Sequence, residues 1–266
     1  MQYAKDADDP EAMSIRITAY NRGPDPANLH IIPQLWFPNT WSWTLPPPPR
    51  PVIRESSHGI ITTTHPELGR TNMYCCPSPP PVDAQGNYVE PENASEDEVI
   101  PELIFTENDS NFQRLYNGQN AHPFVKDAFH DHIIPSHRPK VSISHVRYTP
   151  ANGVNSESSD DSDPGTPHPE PQFVNPDKTG TKAAAHYTFK NVPGRGGCAV
   201  VRLKLTPKGP SQDPSIDDEE LFDDCVEERR TEADEFYDRL AGPGVGSADL
   251  SSITRQALAG MLWWVI

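Results

Sequence analysis

"CAVVRLKLT" (residues 198–206) alternates. Ala199, Val201, Leu203 and Leu205 point one way, and Arg202 and Lys204 the other. Period-2 alternation is the mark of a half-buried β-strand, because successive side chains leave opposite faces. "MSIRITAY" (13–20) repeats it, with Met13, Ile15 and Ile17 against Ser14, Arg16 and Thr18. "NRGPDP" (21–26) then turns the chain through one glycine and two prolines. "LHIIPQLWF" (29–37) follows, with Leu29, Ile31, Leu35 and Phe37 on one face. Its Pro33 cannot donate to a ladder, which puts this strand at an edge or on a bulge. Two strands across so short a turn predict an antiparallel hairpin. Further strands are expected at 58–65, 70–75, 102–107, 140–148 and 182–189. "GRGG" (194–197) after Pro193 reads as a hairpin turn between the last two strands. Many strands without interleaved helices predict a mainly β fold, an antiparallel β-sandwich.

The last quarter changes period. In residues 215–240, Leu221, Phe222, Cys225, Val226, Ala233, Phe236, Tyr237 and Leu240 recur at helical spacing, interrupted at Arg229 and Arg230. Asp and Glu crowd its first turns, where they complement the helix dipole. Gly242-Pro243-Gly244 is the expected stop. A second helix starting near Ser247 aligns Leu250, Ile253, Ala257, Leu258 and Met261 on one side. It runs into the apolar "MLWWVI" (261–266), too short for a span that needs about 20 residues. The expected organisation is a sandwich over 1–210, a linker helix over 211–246, and a further helix over 247–266. Residues 150–178, with almost no apolar content, read as a disordered or solvated loop.

Composition narrows the function. The 266 residues carry a formal charge of −16, which argues against nucleic acid and against anionic membranes, since both select basic patches. Proline is high at 31 residues, against about 5% in ordinary proteins. The prolines at 46–49 and 51 make a stiff extended connector. No basic and apolar leader follows Met1, so a cytoplasmic location is expected. The four cysteines (Cys75, Cys76, Cys198 and Cys225) form no CxxC pair and read as reduced structural thiols.

The richest polar stretch runs from 104 to 134 and holds Glu107, Asp109, Arg114, His122, Lys126, Asp127, His130, Asp131 and His132. His130 and His132 as metal ligands would share a face only in a strand. Glu107 and Asp109, two apart on a strand, would stand roughly 6.6 Å apart, near the carboxyl spacing of inverting glycosidases. Every such pair on a strand does this, so a polar loop held by side-chain hydrogen bonds is the plainer reading. GxGxxG, GKS/GKT, GxSxG and HExxH are all missing. Trp36, Trp41 and Trp43 could stack sugars or fill a core.

Six blocks in one order decide between these readings. They are "LWFPNTWSW" (35–43), "FTENDSNFQRLYNGQN" (105–120), "PFVKDAFH" (123–130), "GTKAAAHY" (180–187), "EADEFYDRL" (232–240) and "RQALAGMLW" (255–263). Together they resemble the glucosidase-like proteins of glycoside hydrolase family 63, the soluble relatives of processing glucosidase I. The resemblance implies an N-terminal β-sandwich, a helical linker and a C-terminal (α/α)6 toroid. Within that toroid an aspartic acid and a glutamic base hydrolyse α-glucosidic bonds with inversion. It implies that "RQALAGMLW" opens the toroid, that this chain is an internal piece with no catalytic carboxylate, and that it is inactive alone. Its substrate-proximal residues would be Glu107, Asn108, Asn120, Lys126, Asp127 and His130. The implied partner is an oligosaccharide in the intact enzyme, with no cofactor and no metal. The exposed C-terminal apolar helix would be open to self-association. A non-catalytic β-sandwich that binds carbohydrate or another protein is the alternative.

Overall fold

The computed structural model describes residues 1–7, 9–88, 98–134, 136, 172–209, 212, 218–241 and 248–265. In chain order the first elements are β1 (Gln2–Lys5), β2 (Met13–Asn21), β3 (Ala27–Ile31), β4 (Gln34–Trp36), β5 (Val52–Ser57), β6 (Ile60–His65) and β7 (Gly69–Cys75). There follow β8 (Glu102–Thr106), α1 (Phe112–Tyr116), α2 (Ala128–Ile133), β9 (Thr179–Gly180), β10 (Lys182–Val192), β11 (Gly197–Thr206), α3 (Glu219–Ala241) and α4 (Ala248–Val265). The fold is mainly β, with antiparallel pairing throughout the registered ladders and two long helices late in the chain. β1 and β5 were not expected from the sequence. The strand expected at 140–148, most of the loop at 150–178 and the stop at 242–244 lie outside the described residues.

The chain divides into two compact units. One comprises Met1–Leu29, Thr71–Ile100 and Phe189–Ile266, the other His30–Arg70 and Pro101–Thr188. In the first, β1, β2, β11 and β7 pair in that order. β2 and β11 run together from Asn21 opposite Gly197 to Met13 opposite Leu205.

Both expected hairpins are overturned. β2 pairs with β1 and β11, whereas β3 joins β10 in a different sheet; β10 and β11 likewise belong to different sheets. The physical reason is in the turns. Pro24 and Pro26 supply no N–H to a ladder. The Asn21 amide accepts from Gly23 N at 3.0 Å and donates to Asp25 O and Val192 O, both at 2.9 Å. The two connections then bind each other: Arg195 N donates to Gly23 O at 2.7 Å and Gly196 N to Asn21 O at 2.8 Å. A Cβ on Gly194 would stand 2.5 Å from Pro24 O, so only glycine lets the turns meet.

The first unit also corrects the face assignment. Ala199, Val201 and Leu203 are buried as expected, yet so are Arg202, Lys204 and Ser14 on the opposite face. α3 covers that face. Phe222 and Val226 pack on Ala4, and the acidic residues of α3 meet the basic residues of the sheet. Arg202 donates to both Asp223 carboxylate oxygens, at 3.1 and 2.7 Å. Arg16 reaches Asp223 at 3.3 Å and also pairs with Glu227. Lys204, fully buried, meets Asp6 at 3.2 Å. α3 opens on Asp218, whose Oδ1 accepts from the backbone N–H of Glu220 and Leu221 at 3.0 and 3.1 Å. It runs unbroken through Arg229 and Arg230. Arg230–Glu227, Arg229–Glu232 and Arg239–Glu235 pairs support it at i,i±3 and i,i±4 spacing. The α4 side chains Leu250, Ile253, Met261 and Leu262 are exposed. Among the described residues no helix is long and apolar enough to cross a membrane. Cys75, Cys76, Cys198 and Cys225 form no disulfide, and burial pushes the Cys75 thiol well above its ordinary range.

In the second unit β6, β5 and β9 pair in that order. β10 is flanked by β4 and β8 on opposite edges, both pairing with Lys182–Ala184. Pro33 breaks the edge between β3 and β4, as its missing N–H requires. Its carbonyl still accepts from Ala185 N at 3.0 Å. α2 lies on this sheet through Phe129, packed on Ile104 and Ala184 with Ile32, Ile133 and Val174 around it. Those contacts hold the polar loop between β8 and α2 in place.

Candidate functional site

β8 ends at Thr106, so Glu107 and Asp109 lie beyond the strand and the assumed strand spacing does not apply. The two carboxylates instead converge on one cation. Arg50 Nη1 stands 3.9 Å from Glu107 Oε2 and 3.5 Å from Asp109 Oδ2. It also lies 3.1 Å from His122 Nε2, itself 3.6 Å from Asp109 Oδ2. The Arg50 guanidinium sits over the Trp41 ring at 5.9 Å, and Trp41 is buried. Trp36 and Trp43 are exposed. One guanidinium thus stands between two carboxylates, and neighbouring side chains and backbone tie both of them down.

Each member has a backbone reason for its place. Thr181 Oγ1 donates to Glu107 Oε2 and accepts from Asn108 N, both at 2.7 Å. The Asn108 amide donates to Phe37 O at 2.9 Å. Asn39 donates to Asn108 O at 3.0 Å and to Asp109 Oδ1 at 2.9 Å. Lys126 enters through its main chain: its N–H donates to Asp109 O at 3.1 Å, and its carbonyl accepts from Lys182 Nζ at 3.0 Å. Burial, then the neighbouring Lys126 charge, holds the Lys182 ammonium below its ordinary range. A cavity of about 160 Å³ is lined by Glu107, His122, Pro123, Phe124, Asn175 and Asp177.

Asn120 and Asp127 belong to a neighbouring network centred on Asn111. The Asn111 side chain caps α1 by accepting from Arg114 N at 3.0 Å. It donates to Asp127 Oδ2 at 3.2 Å and accepts from the Asn120 amide at 3.1 Å. Arg114 pairs with Asp127 at 3.3 Å, and Asn120 Oδ1 accepts from Gln113 N at 3.0 Å. Asn117, at φ 53°, ends the short helix in the left-handed region that asparagine tolerates.

His130 and His132 sit on α2, two residues apart on a helix, and so face different ways. His130 is exposed. His132 Nε2 lies 3.0 Å from Glu102 Oε1. Among the described residues no group of three or more His, Cys, Asp or Glu stands where it could hold a metal ion. Of the substrate-proximal positions, Glu107 and Asn108 form one cluster with the Lys126 main chain, Asn120 and Asp127 form the second, and His130 follows on α2 with its N–H bonded to Asp127 O at 3.1 Å. The sequence reading missed Arg50, Asn39 and Thr181. Arg50 carried a signal of its own, as the one charged side chain on a proline-stiffened segment.

Glu102 is held down to about 2 by His186 first, opposed by burial, and then by His132 and Lys178. A carboxylate with a lowered folded-state pKa stabilises the protein above its unfolded value, near 4.5, and loses that contribution as pH falls toward 2. Glu102→Gln should therefore cost about 1 kcal/mol near pH 5.5, a figure discounted for the half-exposed side chain. Most of that cost should be gone at pH 2, where the folded-state carboxylate is itself half protonated, as measured by urea denaturation at both pH values.

The chain matches no protein-family profile and no solved structure. It is similar to the uncharacterized protein YMR196W of Saccharomyces cerevisiae (strain ATCC 204508 / S288c), with 32% identity over 272 residues. That match covers 98% of this chain and 22% of the yeast protein. The chain thus spans about a fifth of the length of the relative it matches.

Proposed function

We propose that this chain is the β-rich part of a larger α-glycosidase that hydrolyses glucosidic bonds of oligosaccharides with inversion. In this reading its two sheets are an incomplete β-sandwich of the family 63 type. α3 is the linker helix and α4 the first helix of an (α/α)6 toroid, where the two catalytic carboxylates would lie. The observation that carries the reading is the cluster around Glu107 and Asp109. It draws on four of the six blocks that resemble the family, 35–43, 105–120, 123–130 and 180–187, joined by Arg50 and His122 from between them, and it borders a polar cavity. A yeast relative several times longer, similar along nearly this whole chain, fits a piece of a larger enzyme. Both local carboxylates are engaged by Arg50, Thr181 and Asn39. That suits a loop that positions substrate better than a proton-transferring pair, which needs two free carboxyls flanking the bond. Exposed Leu250, Ile253, Met261 and Leu262 would pack on other toroid helices, or on a second copy of the chain in their absence.

The test uses this chain and the full-length yeast relative, each assayed for glucose release from α-glucosyl oligosaccharides, with the product anomer read by NMR. The expected result is release with inversion by the long protein and none by this chain. Failure of the long protein to cleave any α-glucoside would overturn the proposal. Turnover by this chain, abolished by Glu107→Gln or Asp109→Asn, would move the catalytic pair into it.

A further inference from the structure

Away from that cluster, four ionisable side chains form a row across the second unit. Glu102 on β8 stands directly opposite His186 on β10. His186 Nδ1 lies 3.7 Å from Glu102 Oε2, and His132 of α2 closes on the other carboxylate oxygen. On its far side His186 Nε2 lies 2.8 Å from Nδ1 of His30 on β3, the two rings stacked with centroids 5.1 Å apart. The Thr188 hydroxyl approaches the same Nε2 at 3.2 Å.

The protons follow from the contacts. Two imidazole nitrogens at 2.8 Å need one N–H between them, and His186 Nδ1 faces a carboxylate, so that nitrogen carries hydrogen. His186 Nε2 is then the acceptor, taking the His30 Nδ1–H and the Thr188 hydroxyl. One extra proton leaves the bond intact, because the ring that stays neutral can carry its hydrogen on the outer nitrogen and accept with the facing one. A second charges both rings, sets two N–H groups against each other, and the contact turns repulsive. The charge on His186 at the same time strengthens its attraction to Glu102. Imidazoles ordinarily change charge between pH 5 and 8.

We propose that the stacked pair His30–His186 is a proton-operated switch: once acid charges both rings, His186 gives up its bond to His30 and keeps a tighter pairing with Glu102, so that β3 is freed while β8 and α2 stay clamped. The surrounding charges are consistent with a local event. Lys178 donates to Leu103 O beside Glu102. Lys182, four residues from His186 along β10, lies over the Phe129 ring at 4.7 Å and donates to Lys126 O. His130 and Asp131 flank His132 on α2. Ammonium and carboxylate groups ordinarily change charge outside the range of imidazoles. The switch thus rests on the imidazoles of His30, His186 and His132, and His130 is exposed.

Amide hydrogen exchange of the whole chain at pH 7.5 and pH 5.5, corrected for intrinsic rates, tests the switch. Residues 27–31 should lose about fivefold in protection on acidification, while residues 102–106 lose none. His30→Asn, which keeps a donor but cannot gain charge, should abolish the pH effect at 27–31. His132→Gln, which leaves the ring pair intact, should preserve it. An equal pH effect in wild type and His30→Asn, or none in wild type, would overturn the proposal. Circular dichroism at pH 7.5 identifies a His30→Asn chain that fails to fold, in which case His186→Gln, expected to lose the pH effect in the same way, decides.

Discussion

Replacing Asp223 by alanine is expected to destabilise the protein by about 3 kcal/mol, because it strips a shared carboxylate from two buried or half-buried guanidinium groups. Arg202 is only 8% exposed, and both its bonds to Asp223 would be lost, leaving it Glu219 at 3.3 Å, while Arg16 would keep Glu227 and its bond to Gln2. Burial opposes charge at both partners. Arg202 nonetheless holds its proton more firmly than an ordinary arginine, and Asp223 titrates below its ordinary 3.8. The lowered carboxylate contributes stability above that value and loses it as pH falls through the folded one. The difference between wild type and Asp223→Ala should therefore shrink below about pH 4. Removing both charges, as Arg202→Met with Asp223→Leu, should cost far less than the single change, since desolvation then vanishes with the attraction. Urea midpoints at constant slope measure all three. A single variant within 1 kcal/mol of wild type would mean that Glu219 and Glu227 carry the pairing instead.

Gly180→Ala should cost about 3 kcal/mol, at the upper end of overpacking penalties. A Cβ there would stand 2.3 Å from Thr106 O and 2.9 Å from Thr106 C, both main-chain atoms that cannot rotate away. Gly180 also pairs with Ile53 across β5 and precedes Thr181, the bridge between Glu107 and Asn108. The strain should therefore reach the candidate site. Thr181→Val, which removes only the hydroxyl, should cost about 1 kcal/mol and separates the two effects. Equal losses from both substitutions would show that the close approach of β9 to Thr106 is unimportant.

Much was legible in local pattern. The alternation at 13–20 and 198–206 made strands because side chains on a pleated backbone leave alternate faces. The helical spacing and acidic start of 219–241 made α3, and Pro33 placed its own break. None of these needs a partner distant in sequence. The polar run of 105–130 was legible as a hydrogen-bonded loop for the same reason: asparagine and aspartate bond nearby backbone, and a cap such as Asn111 acts within three residues.

What the sequence alone left open are the choices made between distant segments. Hairpin or crossover after Asn21 depends on whether Gly23 and Asn21 receive the N–H groups of Arg195 and Gly196, more than 170 residues away. Arg202 and Lys204 read as a solvent face until α3 brings Asp223 to one of them and the N-terminal Asp6 meets the other. Charge that looks outward in one strand is inward once an acidic helix covers it. Arg50 joined the site only because a stiff proline segment returned it over Trp41. Local backbone and side-chain physics set which residues are strand, helix or turn. Only the tertiary structure decided which face was buried and which charges met, because pairing energy depends on a distance that chain order does not contain.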